Sequence, residues 1–252
     1  MKKYCVGLIA LVVCSPLFAD MPFKPPQMPT ATELRERYPT IEKIEAIIAN
    51  TDQGEPYFRA GIATFFEGSM TNIRPVEYSK EIKKKYNERA IELLENANRI
   101  TPNNPYILGM LGSAYGVEVT FSSFPGLIHW ANKCRAMIKR AVEIAPNNPE
   151  IRMIRLRCDV RFPYQYYASV KNEILEDHSL IQAWINQSKE EDLTENQMNY
   201  FIALHNELNY WVGYYFTYEV KNKDQAKPFL LTVQPGSIEY RQAQILLSKV
   251  SL

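Results

Sequence analysis

Thr101-Pro102-Asn103-Asn104-Pro105 and Ala145-Pro146-Asn147-Asn148-Pro149 are one phrase written twice, 44 residues apart, in a chain of 252. Each copy follows one helix-periodic stretch and precedes another. Proline is disfavoured in a helix interior but tolerated in the first turn, and asparagine accepts turn geometry and caps helices. Pro-Asn-Asn-Pro is therefore a tight connection between two helices, and its recurrence marks an internal repeat.

Outward from the hinge the pattern stays helical. Ala90, Leu94 and Ala97 precede Pro102; Leu111, Gly112 and Tyr115 follow it. Cys134, Ile138 and Ala141 then precede Pro146. Small residues at such places let two helix backbones approach closely, and bulky ones fill the space between pairs. Alternating strand patterns are scarce, Val117, Val119 and Phe121 being the best. The expected fold is all-α.

These residues resemble the tetratricopeptide repeat family. Its repeats carry Leu-Gly-x-x-Tyr in a first helix and a small, bulky, small series in a second, followed by Pro. The resemblance implies antiparallel helix pairs stacked as a short α-solenoid. It covers roughly 57–182 and 206–248 and is strongest over 78–148. Tyr57, Ala60 and Gly61 fit a first helix pairing with the Ala90 helix. Residues 149–162 and 165–177 fit another pair, with Pro163 at the turn and Ala168 at the close contact. Val212, Gly213 and Phe216 with Ala226 fit a last unit, closed by a helix over 238–250. The chain also departs from the family. Leu108 stands where a Trp is usual, Arg155 stands where an apolar residue is usual, and insertions are expected at about 66–80 and 116–128.

The first nineteen residues read as a secretory signal peptide, with Lys2 and Lys3, an apolar run from Val6 to Val13, and a cut after Ala19. Leu11-Val12-Val13-Cys14 is similar to a lipoprotein signal but has Val where a small residue is expected, so membrane proximity through a lipidated Cys14 is the lesser expectation. Pro22, Pro25, Pro26 and Pro29 make 20–31 an extended linker. Residues 32–252 are expected to be one helical domain, starting from Leu34, Tyr38, Ile41, Ile44, Ile47 and Ile48 around a break at Pro39. The expected location is periplasmic, with lipoprotein or secreted forms as alternatives.

Cleavage after Ala19 removes two lysines and no acid. The 29 basic residues become 27 against 28 acidic ones. Such a chain has no global field to hold nucleic acid.

Catalytic patterns are sparse. His129, His178 and His205 lack a second His or Cys at metal-ligand spacing, and no phosphate-binding glycine pattern or nucleophile elbow occurs. No cofactor or metal is expected, and a carboxylate pair assembled only in three dimensions is not visible in sequence. Cys134 and Cys158 lie almost equally far from the Asn147-Asn148 turn. Two readings stay open. One is a disulfide, which contributes about 3 kcal/mol in the chain-entropy model. The other is two reduced cysteines acting as small core residues.

Charge is uneven locally. Residues 133–161 hold eight Lys or Arg and three acids, and 173–195 hold seven acids and one Lys. The family lines its inner surface with first helices, so the resemblance places Arg152 and Arg155, with Tyr106 and Ser113, as candidate groove contacts for a carboxylate-bearing partner. A solvated face with weak ion pairs is the alternative. The apolar segment Gly116 to Trp130 reads as core filling or as a flap. The run Tyr210, Trp211, Tyr214, Tyr215, Phe216 and Tyr218 reads as buried packing. The resemblance implies a non-enzymatic envelope scaffold that binds a protein or peptide partner. A small-molecule or lipid-binding accessory of an envelope transport system is the second expectation, and an enzyme with an unrecognised site the third.

Overall fold

The computed structural model describes residues 79–163, 168–188 and 193–250, with Gly54, Gly61 and Thr64 before them. The expected signal peptide, the proline-rich linker, the helices around Pro39, the 66–78 part of the first insertion and the Tyr57 and Ala60 positions lie outside the described residues. Among the described residues the chain is all-helical: α1 (Lys80–Ile100), α2 (Pro105–Val119), α3 (Gly126–Ile144), α4 (Pro149–Asp159), α5 (Val170–Ser188), α6 (Glu195–Tyr218), α7 (Lys223–Thr232) and α8 (Ile238–Val250). None of these is long and apolar enough to cross a membrane. The chain divides into two compact units, Met1–Pro146 and Asn147–Leu252.

The two copies of the hinge cap the helix that follows them alike. Asn104 Oδ1 accepts from the backbone N–H groups of Tyr106 and Ile107 at 2.9 and 3.3 Å. Asn148 Oδ1 accepts from those of Glu150 and Ile151 at 2.9 and 3.2 Å. Pro105 and Pro149 each occupy the first turn, where a missing N–H costs nothing. The helices before them end alike too, with Thr101 N–H donating to Ala97 O and Ala145 N–H to Ala141 O.

In the first unit α2 packs between α1 and α3. A Cβ added at Gly112 would stand 2.5 Å from Ile138 Cγ1, and one at Gly116 would stand 3.3 Å from Cys134 Sγ. The partner falls along α3 as the glycine rises along α2, so the two helices run antiparallel at close range. Gly61 meets Leu94, and Gly54 meets Thr101, in the same descending order. Ala90, Leu94 and Ala97 on α1, like Cys134 and Ala141 on α3, are fully buried.

The second insertion is shorter than its sequence suggests. Helix α2 runs on to Val119 and α3 begins at Gly126, so 116–119 and 126–128 are helical and the strand-like Val117 and Val119 lie in a helix. Tertiary contacts override the β-branched alternation: Gly116 meets Cys134, and Asn87 Nδ2 donates to Glu118 Oε2 at 2.8 Å. Core filling holds only in part, since Phe124, Leu127 and Ile128 are exposed.

In the second unit α5 pairs with α4 and with α6, and α6 with α7 and α8. Val170, Ile174, Ile181 and Ile185 form the fully buried stripe of α5. Ala168, expected at a close contact, is instead exposed in the turn leading into α5, where its carbonyl accepts from Lys171 N–H. Gly213 meets Leu230, placing α7 against α6 as Ile138 is placed against Gly112. Thr194 and Gln197 cap α6 reciprocally. Tyr210, Trp211, Tyr215 and Phe216 are buried, whereas Tyr218 is exposed. Cys134 and Cys158 are both buried, each within its own unit.

Candidate functional site

Arg152 and Arg155 are not presented to an open groove. Counted from the capping asparagines, Arg152 stands where Leu108 stands in the first unit, and Arg155 where Leu111 stands. Leu108 and Leu111 are core residues, and Arg152 is buried as they are. A guanidinium at such a depth needs a partner of opposite charge. Helix α5 supplies it: Asp177 interrupts the buried isoleucine stripe at its regular spacing and is itself fully buried. Arg155 Nε donates to Asp177 Oδ2 at 2.7 Å and its Nη2 to Oδ1 at 2.7 Å. Arg152 Nη1 donates to the same Oδ1 at 3.1 Å. Glu176, on the solvent side, takes Arg152 at 3.0 Å and Arg155 at 3.0 Å.

The carboxylates expected of a binding partner are thus the chain's own, and the solvated-face alternative does not describe a buried pair either. Burial pushes the Asp177 carboxyl up, against the pull of Arg155 and Arg152. Burial works against the Arg155 guanidinium as well, but Asp177 and Glu176 overcome it and hold Arg155 above its ordinary range. The three short hydrogen bonds into Asp177 need a carboxylate, so the charged form is the one this geometry fits.

Arg157 and Glu207 form a second buried pair that sequence reading missed. Arg157 donates through Nε and Nη2 to the two oxygens of Glu207, each at 2.5 Å, fastening α4 to α6. The available signal is spacing: Glu207 falls three residues after Leu204 and four before Trp211, on the apolar face of α6. Beside these pairs, His178 Nε2 meets Asn209 Oδ1 at 3.1 Å, and His205 Nδ1 meets Gln182 Oε1 at 3.0 Å. Burial pushes the His178 imidazole below its ordinary value, with the Asn209 contact opposing.

The first unit keeps its polar chemistry nearer the surface. Tyr106, Ser113 and Val117 are half-buried on α2 at helical spacing, and they form the part-open stripe of a helix otherwise mostly buried. Ser113 Oγ donates to Gly109 O at 3.0 Å. Further along, Lys133 Nζ sits 4.9 Å from the ring centres of both Tyr115 and Trp130. Tyr115 Oη donates to Glu95 Oε1 at 2.6 Å. Burial and the Glu95 hydrogen bond both push the Tyr115 phenol up. The cluster already contains the cation that a cage of this kind would take.

Among the described residues no group of three or more His, Cys, Asp or Glu stands where it would hold a metal ion. Comparison of the chain with protein-family models, with curated proteins and with solved structures found no match.

Proposed function

We propose that the chain is an exported repeat protein of the tetratricopeptide type, and that it binds a protein or peptide partner in the bacterial envelope. One observation carries the repeat reading. The same crossing recurs three times, Gly61 on Leu94, Gly112 on Ile138 and Gly213 on Leu230. A buried small residue lies one turn before each aliphatic partner: Ala90, Cys134 and Ala226. Such repeats expose the open stripe of their first helices to partners. In the first unit that stripe is Tyr106, Ser113 and Val117, so two of the four groove positions expected from sequence keep that role, while Arg152 and Arg155 belong to the interior.

The test is site-specific photo-crosslinking in the cells that make the protein. A photoreactive phenylalanine at Tyr106 or Ser113 is expected to give one discrete protein adduct, and the same group at Lys139, exposed on α3, to give none. An identical pattern from all three positions, or no adduct from Tyr106 and Ser113, contradicts the reading.

A further inference from the structure

We infer that one end of the first unit docks on an anionic lipid surface through the α2–α3 turn and the start of α1. Phe124 is 77% exposed, and Leu127 and Ile128 are 42% and 43% exposed. The hydrogen bonds from Asn87 Nδ2 to Ala114 O at 3.1 Å and to Glu118 Oε2 set residue 87 of α1 level with residues 114–118 of α2. The turns before Asn87 therefore lie at the end where α2 finishes, the end that carries Phe124. That part of α1 holds Ile82, 42% exposed, and Lys80, Lys83, Lys84 and Lys85. Among the described residues the acids there are Glu81 and Glu88, of which Glu88 pairs with Lys84 at 3.4 Å, and the buried Glu118.

The Lys84–Glu88 pair aside, the exposed groups of this end do little for folding. Lysines in the first turns of a helix oppose its dipole, and exposed aromatic and aliphatic side chains stabilise nothing while they face water. Together they have the chemistry of an interfacial anchor, with apolar groups that enter the acyl boundary and lysines that reach the headgroup phosphates. Phe124 stands out from the protein on a turn between two helices. A bilayer accepts such a projecting group without shape complementarity, whereas a protein partner needs a matching pocket. The inference is independent of the partner-binding stripe on α2.

The test places a reporter at the tip. Phe124→Trp is compared with the unsubstituted full-length protein on vesicles with brominated acyl chains, made either of phosphatidylglycerol and phosphatidylethanolamine or of phosphatidylcholine alone. The added tryptophan is expected to be quenched on the anionic vesicles and much less on the neutral ones. Lys80→Gln with Lys85→Gln, both at exposed positions, is expected to weaken that quenching partition about 25-fold, at roughly fivefold per lysine. Far-UV circular dichroism confirms that the helices persist in each variant. Absence of quenching of the added tryptophan overturns the inference, and so does equal quenching on neutral vesicles or indifference to the lysine changes. Because the readout is local to residue 124, attachment of the chain elsewhere does not imitate it.

Discussion

Asp177→Asn is the sharpest perturbation of the second unit. Asparagine keeps nearly the same volume but removes the charge that faces Arg152 and Arg155. Of the three hydrogen bonds into Asp177, from donors at 2.7, 2.7 and 3.1 Å, it can accept only those that reach its single oxygen. Glu176 remains, but its side chain is 57% exposed and water screens it, so it compensates little. Breaking a buried ion pair by removing one partner typically costs about 3–5 kcal/mol. A unit of this size is stable by roughly 5–15 kcal/mol, so its thermal midpoint should fall by at least about 10 °C. Urea unfolding followed by far-UV circular dichroism measures the loss, and wild type run in parallel supplies the slope. A second variant separates lost charge from lost packing. Arg152→Leu and Arg155→Leu, the residues that occupy Leu108 and Leu111 in the first unit, are combined with Asp177→Leu. An apolar replacement of similar volume is commonly neutral or stabilising, so this triple variant should recover most of the loss. A cost below about 1 kcal/mol for Asp177→Asn, as for a surface pair, would refute the assignment of Arg152 and Arg155 to the interior.

Gly112→Ala should destabilise the first unit by about 1–3 kcal/mol, because its Cβ would stand 2.5 Å from the buried, branched Ile138. Gly116→Ala, which meets only Cys134 Sγ at 3.3 Å, should be near neutral by the same urea melts, its gain in helix propensity offsetting the closer contact. His178 has its folded value pushed below the ordinary 6.5 by burial, so stability is complete above pH 6.5 and is lost as pH falls toward the folded value. His178→Gln should flatten that acid limb of thermal midpoint against pH, and an unchanged limb would remove His178 as its source. Glu118 has its folded value raised above 4.5 by burial, which outweighs the Asn87 hydrogen bond. Its penalty therefore builds as pH rises from about 4.5 through the folded value, and Glu118→Gln should stabilise the chain at pH 7 but not at pH 4.

The hinge made the fold readable from sequence. Asparagine caps and first-turn prolines act through the backbone within three residues, so a repeated phrase produces a repeated structure whatever surrounds it. The same locality explains the misreadings. Val117 and Val119 alternate like a strand, but α1 and α3 hold that segment in a helix through Asn87 and Cys134, which are distant in sequence. Ala168 is small like the close-contact residues, but smallness suits an exposed turn equally well, and only its neighbours decide between the two. Arg152 and Arg155 are misplaced for a different reason: the resemblance sets first helices along a groove, and arginines on such a helix read as contacts for a partner's carboxylate. Register says otherwise. Measured from Asn104 and Asn148, both arginines fall on leucine positions of the first unit, and Asp177 falls on an isoleucine stripe. A charge at a core position on one helix calls for the opposite charge at a core position on the helix packed against it. Two such departures on adjoining helices therefore identify a buried pair, where one alone would suggest a displaced helix. By that criterion Glu207, which falls between Leu204 and Trp211 on the buried face of α6, calls for a cation, and Arg157 supplies it. The charges at core positions of the second unit are thus complementary to one another, and they tie α4 to α5 and α6 beside the apolar packing of Ile151, Met153 and Leu156.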